Sequence, residues 1–491
     1  MFDSTNLLDM LKNSDLLASK AFVAGHWVNA DDGKTFNVVN PARGDVVATV
    51  PDLGIDEVRR AISAAEASQK AWAARTAKDR SNVLLEWYRL MMENAEDLAA
   101  ILTAEMGKPL AEAMGEITYG ASFIQWFAEE AKRVYGETIP GHLPDKRLFV
   151  IKQPIGVVAS ITPWNFPNAM ITRKAAPALA VGCSFVARPA SETPLSALAM
   201  AVLAEQAGVP KGVFSVLPST RSREVGEEFC SNPIVRKITF TGSTEVGRVL
   251  MRQAGDQIKK VSMELGGNAP FIVFNDADVD AAVEGALICK YRNNGQTCVC
   301  ANRIYVQSGV YDEFAEKLAK ATGTLKLGDG FAAEVNTGPL INSDALVKVK
   351  SHISDAVGKG ARVMVGGSPH ELGGLWFEPT VIADVDQSML VARDETFGPL
   401  APLFKFEDDD EVVDMANDTI HGLAAYFYTR DVARVWKVAE ALEYGIVGIN
   451  TGIFSTEAAP FGGVKQSGIG REGSRHGMED FLEMKYVCLS I

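Results

Sequence analysis

The sequence predicts an α/β protein built on wound parallel sheets, and three observations carry that prediction. From Phe149 onward, short apolar runs alternate with helical stretches, the pattern of strands joined by crossover helices. A second run of the same kind begins after Gly266-Gly267. Ahead of both, residues 55 to about 135 keep a helical period in Ala-rich amphipathic stretches such as 57–74 and 80–106.

Residues 22–50 read as short strands and turns, Phe22 to Trp27 and then Val38 to Pro41. In the helix around Phe123-Ile124-Gln125-Trp126-Phe127 the aromatics suit core packing better than a substrate channel. Val157–Ile161, Ser184–Ala187, Val213–Leu217 and Lys237–Phe240 are expected strands. Met170–Ala180, Pro194–Ala207 (with Gly208 at its end) and a segment from Glu245 are expected helices. Ligands of such sheets gather at the carboxyl ends of the strands, so the residues that follow each strand are candidates by geometry. The second run contributes strands at Phe271–Phe274, Ile304–Val306, Ala361–Val365 and Ala424–Tyr428. The twin glycines between the runs read as a hinge between domains. The apolar end, Phe481–Ile491, is strand-like and needs a partner edge, in this chain or on another subunit.

With 491 residues, 47% hydrophobic and 22% charged, the chain is long enough for two or more domains and a large core. Its net charge of −14 argues against nucleic acid, whose binding needs a basic face. An acidic protein that binds an anion must gather Arg and Lys locally, which gives weight to single cations near a site. Six cysteines and six histidines show no metal spacing: Cys298 and Cys300 form C-x-C, with no His partners at zinc-site distances. No metal is expected. Met1–Lys20 lacks the basic start and apolar core of a signal peptide, and no apolar run reaches the roughly 18 residues of a membrane span. A cytoplasmic enzyme with no membrane partner is the expectation.

Asn293-Asn294-Gly295-Gln296-Thr297-Cys298 places a thiol in a small polar loop. Upstream, Glu264 ends an apolar run just before the twin glycines. A thiol nucleophile and a carboxylate that activates water are what covalent catalysis on a carbonyl needs. The plainer alternative is a buried structural Cys. Thr162-Pro163-Trp164-Asn165 follows a strand, and the Asn165 amide with the Cys298 N–H would make an oxyanion hole, unless Asn165 sits in an Asx turn. Gly242-Ser243 opens a helix whose N-terminus suits a pyrophosphate, although the pattern is not G-x-G-x-x-G. Arg188 and Ser191 end another strand and would hold a ribose phosphate; the alternative is a surface Arg with Ser191 or Thr193 as helix cap.

Asn165 in Pro-Trp-Asn-Phe-Pro, Gly242 in Phe-Thr-Gly-Ser, Glu264 in Glu-Leu-Gly-Gly, Cys298 in Gly-Gln-Thr-Cys, Glu395 in Glu-Thr-Phe-Gly-Pro and Phe461 in Pro-Phe-Gly-Gly stand in the order of the aldehyde dehydrogenase superfamily. The resemblance runs from about residue 20 to the end. It is strongest to the succinate-semialdehyde dehydrogenase branch, through Ala169–Lys174, Tyr291-Arg292-Asn293, Cys298–Arg303 and Gly468–Gly473. It implies a wound parallel-sheet cofactor domain (1–133 and 155–266), an α/β catalytic domain (267–466) and a small oligomerisation strand region (134–154 and 467–491), assembled as a homo-dimer or homo-tetramer. It implies that Cys298 attacks the aldehyde, that Asn165 and the Cys298 N–H hold the oxyanion, that hydride passes to nicotinamide, and that Glu264 activates the hydrolytic water. Lys174 would support that region. Glu395 and Phe397 would hold the nicotinamide ribose, with Thr162, Pro163, Trp164, Gly242, Ser243 and Leu265 also on the cofactor. Arg173, Arg292 and Ser455 would clamp the distal carboxylate of succinic semialdehyde; glutaric semialdehyde, one methylene longer, is the alternative. A CoA-acylating relative is disfavoured by Glu264, a cofactor-free thiol hydrolase by the lack of a nearby His base, and a silent structural protein by the intact Cys298, Glu264 and Asn165.

The chain departs from the family in two places. Arg188 stands where the family usually has Lys, and Ser191 where NAD-preferring relatives often have Glu. Without that carboxylate a 2′-phosphate is tolerated, so NADP is expected, with NAD as the alternative; Glu192 is expected to turn outward. Val216–Thr220 also lacks the glycine usual at the adenine edge. Cys300 has two readings: a packed structural thiol, or a redox partner of Cys298, which needs a mobile loop to meet disulfide geometry.

Overall fold

The computed structural model describes residues 7–491; residues 1–6, part of the N-terminal leader reading and of the expected cofactor segment, lie outside the described residues. Two large sheets organise the chain. In the first, Lys260–Glu264, Val235–Thr241, Val157–Ile161, Ser184–Arg188 and Phe214–Val216 lie side by side in parallel. Antiparallel strands close its edges: Gly468–Ile469 against Lys260–Glu264, and the hairpin Ala21–Val23/His26–Val28 against Phe214–Val216. The second sheet runs Arg362–Val365, Thr380–Val385, Leu400–Phe406, Ala301–Gln307, Ala269–Val273, Ala424–Tyr428, Ile446–Ile449, parallel except at the first edge. The wound α/β expectation holds, because Val/Ile/Phe-rich runs buried on both faces can only be covered by crossover helices.

The helical stretch 55–135 resolves into Ile55–Ala73, Ala77–Glu93, Ala95–Met106 and Leu110–Glu130. The expected single run 80–106 is two helices. Asn94 separates them: its amide N–H₂ returns to the Leu90 carbonyl at 2.8 Å and closes the first. Phe123, Ile124 and Phe127 are fully buried core.

The helix Ala169–Val181 passes through the middle of the first core and is buried along its whole length. Its Ala-rich sequence makes a thin rod that neighbours can approach from every side. Gly182 ends it at φ 101°, the left-handed cap that glycine takes without strain. Two cations, Arg173 and Lys174, are therefore carried into the interior and must find partners there.

The chain changes sheet at Gly266-Gly267, as expected, but these glycines do not form a free hinge. The Gly267 N–H is held by Glu395 Oε1 at 3.0 Å and the Gly266 carbonyl accepts the Ser467 hydroxyl at 2.7 Å. A Cβ on Gly267 would stand 2.5 Å from the Cys298 carbonyl, so glycine is needed for close approach of the thiol loop.

The C-terminal strand Leu482–Ser490 finds its partner edge within the chain. It pairs antiparallel along its full length with Lys146–Pro154, and Glu137–Ile139 completes a three-stranded sheet. Met484 and Tyr486 stay exposed on it, at 73% and 58%. Among the described residues, no helix is long and apolar enough to cross a membrane, and no group of three or more His, Cys, Asp or Glu is placed to hold a metal ion.

Candidate active site

Cys298 is the meeting point of two cavities. One, of about 290 Å³, is walled by Phe166, Met170, Arg173, Arg292, Ser455 and Phe461, with Cys298 at its floor. The other, of about 450 Å³, is walled by Trp164, Asn165, Gly242, Ser243, Leu265, Glu395 and Phe397, again with Cys298. A third, of about 680 Å³, continues past Thr162, Pro163 and Trp164 to Arg188, Ser191 and Glu192. A half-buried thiol thus faces a short, cation-bearing cavity on one side and a long cleft at the carboxyl ends of parallel strands on the other.

The loop that carries Cys298 is built by amide side chains. Asn293 and Asn294 both take left-handed backbone, at φ 52° and 56°. Gln296 donates to the Asn293 and Pro339 carbonyls and accepts the Ile341 N–H at 2.9 Å. Asn165 is fixed from below: its carbonyl accepts Lys108 Nζ at 2.8 Å and Asn293 Nδ2 at 3.1 Å. Its side chain donates one N–H to the Gln296 carbonyl at 3.0 Å, leaving the second. Its Oδ1 accepts the N–H of Phe166, one residue on, so the Asx-turn alternative is not formed. The Cys298 N–H has no acceptor among the described residues. Two unengaged donors beside the thiol are of the kind that a developing oxyanion accepts.

The thiol itself is half-buried. Burial pushes it up to about 12, opposed by the nearby Arg173 guanidinium. Glu264 ends the strand Lys260–Glu264, is buried, and lies off both cavity walls, with Oε2 unpartnered. Burial and then the Glu472 carboxylate push its carboxyl well above the usual range, against Arg173 and Lys174. A carboxyl so raised is a stronger base than a free carboxylate once it has lost its proton.

Glu472 organises this interior. It accepts Lys174 Nζ at 2.5 Å and stands 2.8 Å from Arg173 Nη2, and Lys174 also donates to the Thr241 hydroxyl at 2.6 Å. Burial would raise Glu472, but Lys174 and Arg173 outweigh it and hold the carboxyl below its ordinary value. The Arg173 contact is an ion pair off the N–H directions, so Arg173 Nε and Nη2 have no aligned acceptor, and the guanidinium lies over the Phe461 ring at 4.0 Å. Arg292 lies 5.4 Å from the Phe166 ring centroid. Glu472, Thr241, Lys348 on the second cavity's wall, and Glu112 on the first were not singled out from the sequence. Glu472 lay within the quoted Gly468–Gly473 stretch, where a lone acid between glycines carries no spacing signal.

On the cofactor side, Ser243 caps the helix Thr244–Gly255 by accepting the Val246 N–H, leaving the first N–H groups toward the cleft. Glu395 is pushed up to about 7 by burial, against the Gly267 N–H it holds. Phe397 stands edge-on to Trp164 at 5.6 Å. Arg188 is not a surface residue: it is buried, donates to the Ser219 carbonyl at 2.7 Å, and keeps Nε unpartnered. Neither Ser191 nor Thr193 caps the following helix, Leu195–Gln206; Glu105 does, taking the Leu195 and Ser196 N–H groups at 2.7 and 2.8 Å. Glu192 does not turn outward. It is half-buried, lines the same cleft as Arg188 and accepts the Ser191 hydroxyl at 3.1 Å. The buried, unsaturated Arg188 and the helix N-terminus fit an anionic nucleotide.

Cys300 points elsewhere than Cys298. Its sulfur lies in the core, 3.4 Å from Lys290 Nζ and 3.3 Å from the Gly295 carbonyl, and both thiols are free.

Residues 27–487 match the family model described as "Aldehyde dehydrogenase family". A Pseudomonas aeruginosa protein named glutarate-semialdehyde dehydrogenase is 64% identical, over 98% of this chain and 99% of its own. An Escherichia coli protein named succinate-semialdehyde dehydrogenase (NADP(+)) is 61% identical, over 98% of this chain and 100% of its own. The crystal structure titled as an E. coli NADP dependent enzyme superposes with a TM-score of 0.97 at 61% identity, covering 98% of this chain and 100% of that one.

Proposed function

Because the chain belongs to the aldehyde dehydrogenase family, we propose that it oxidises succinic semialdehyde to succinate with a nicotinamide nucleotide. The observation that carries this reading is the double wall of Cys298, with Arg173, Arg292 and Ser455 on one side and the long nucleotide-sized cleft on the other. Glutaric semialdehyde is the second reading, favoured by the 64% identical relative of that name. One methylene is worth only about 1–3 kcal/mol in a pocket.

In this proposal the aldehyde enters the smaller cavity with its carboxylate toward Arg292, Arg173 and Ser455. Cys298, as thiolate, bonds to the carbonyl carbon, and the oxygen takes its two hydrogen bonds from Asn165 Nδ2 and the Cys298 N–H. The nucleotide, when bound, is the hydride acceptor. Arg188 and Ser191 would hold its adenosine ribose, the N-terminus at Gly242-Ser243 its pyrophosphate, and Glu395 and Phe397 its nicotinamide ribose, with Thr162, Pro163, Trp164 and Leu265 lining the cleft. Glu264 then takes a proton from the water that opens the Cys298 thioester. Lys174 anchors Glu472 and through it the electrostatics around Glu264.

We assign cofactor binding to residues 1–133 and 155–266, catalysis to 267–466, and assembly as a dimer or tetramer to 134–154 and 467–491. The two sheets support the first pair, and the exposed Met484 and Tyr486 support the last. Within the last range, Gly468–Ile469 pairs with the first sheet, and the strand Leu482–Ser490 carries the exposed face.

The test is a comparison of succinic semialdehyde with an uncharged aldehyde of similar length, in wild type and Arg292→Ala. A charge-assisted bond is worth roughly 1.5–3 kcal/mol, so KM for the anionic aldehyde rises about ten- to a hundredfold more than for the neutral one. Equal changes for both would refute a carboxylate site at Arg292.

A further inference from the structure

The substrate-side cavity holds two carboxylates that this chemistry leaves unused, Glu112 and Glu116, both from the helix Leu110–Glu130. Glu116 is fully committed. Its Oε2 takes the Lys108 ammonium at 2.7 Å, and Oε1 takes the Asn168 and Ala169 N–H groups at 2.9 and 3.2 Å, at the start of the helix that carries Arg173. Glu112 is only half engaged. Its Oε2 accepts the Asn293 N–H at 2.9 Å, and its half-buried side chain lines the cavity beside Arg292.

The charges of this cavity do not cancel evenly. Arg173 has Glu472 as its ion-pair partner. The Arg292 guanidinium has neither an ion pair nor a hydrogen bond among the described residues. The free cation and the half-free carboxylate therefore share one small space, and Glu112 also holds the residue that follows Arg292 in the chain.

We propose that Glu112 is a specificity-determining residue: ionised, it opposes a distal anion at Arg292, and protonated, it admits one, so anionic semialdehydes bind together with a proton. The proposal rests on the reading that Arg292 receives the substrate carboxylate. The groups facing Glu112 set the balance. Burial raises its carboxyl, Lys108, the Asn293 N–H and Arg292 lower it, Glu116 raises it, and the net shift is upward. Tyr119 and Cys298, on the same wall, are both pushed upward by burial and stay neutral where Glu112 titrates. Rising pH therefore ionises Glu112 above the ordinary carboxylate range and places a like charge beside the substrate anion.

The experiment follows KM for succinic semialdehyde and for an uncharged aldehyde of similar length from mildly acid to mildly alkaline pH, where the substrate carboxyl is already ionised. Wild type, Glu112→Gln and Arg292→Ala are compared. In wild type the KM ratio of anionic to neutral aldehyde rises with pH by about threefold to thirtyfold. Glu112→Gln keeps an acceptor for the Asn293 N–H, so the loop stays tied; the rise flattens and the ratio falls in favour of the anion. Glu112→Ala removes the acceptor too, and lowers kcat for both aldehydes. A wild-type ratio independent of pH, or a Glu112→Gln ratio that still climbs, overturns the proposal. Arg292→Ala separates the two readings: a ratio unmoved by that substitution removes the anion site itself, whereas a ratio raised by it, beside a Glu112→Gln pH profile like that of wild type, removes only the role of Glu112.

Discussion

Arg173 and Glu472 meet as a buried ion pair at 2.8 Å, and the same carboxylate receives the Lys174 ammonium at 2.5 Å. Two adjacent cations on a wholly buried helix thus share one acid from the far end of the chain. Removing one partner from such a cluster leaves uncompensated buried charge, which costs about 3–5 kcal/mol. Glu472→Ala is therefore expected to lower the unfolding midpoint markedly, measured by thermal or urea denaturation of the full chain. A variant as stable as wild type would mean that the two cations find water or another acceptor.

The Cys298 thiol is pushed up to about 12 by burial, so it is neutral in the ligand-free enzyme at ordinary pH. The thiolate is the nucleophile, so kcat/KM for an uncharged aldehyde is expected to climb from neutral toward alkaline pH. Arg173 is the stronger of the two cations opposing that rise, ahead of Arg292, so in Arg173→Ala the climb moves to still higher pH. A profile that is flat from neutral to alkaline pH would show that the thiol is already ionised.

Much of this arrangement was legible in the chain. Asn165 and Gly242 announce themselves on turns after strands, Cys298 as a thiol in a small polar loop, and Glu395 through the family resemblance alone, and the structure brings all four to one cleft. The strands Thr380–Val385, Leu400–Phe406 and Ile446–Ile449 were not read from the sequence. Pro402 lies inside the second of them, and a proline argues against an interior strand; here it sits opposite Ile382, next to an irregularity in the pairing. Glu472 and Glu112 were illegible for another reason. Their meaning lies in partners far along the chain, Lys174 at 298 residues and Asn293 at 181, and no local period encodes such a distance. Glu192 was misread because the outward turn assumed that Ser191 or Thr193 caps the helix, a place that Glu105 takes.

The cofactor proposal favours NADP, through the buried Arg188 with its unpartnered Nε. The Glu192 carboxylate on the same wall opposes a 2′-phosphate and narrows the preference. Ser191→Glu adds a second like charge and is expected to shift kcat/KM toward NAD by about tenfold, roughly 1.4 kcal/mol. Wild-type preference for NAD by about tenfold or more would overturn the NADP proposal while leaving the family untouched.

The account stands on covalent chemistry at Cys298 that is completed by Glu264. Its most direct test is Glu264→Gln mixed with succinic semialdehyde and nucleotide, followed by rapid quench, peptide mapping by mass spectrometry and parallel absorbance of the reduced nucleotide. One equivalent of reduced nucleotide per active site is expected as a burst, with a succinyl adduct on the peptide bearing Cys298 and very slow turnover afterwards. Steady turnover at the wild-type rate, or an adduct on any other residue, would contradict it.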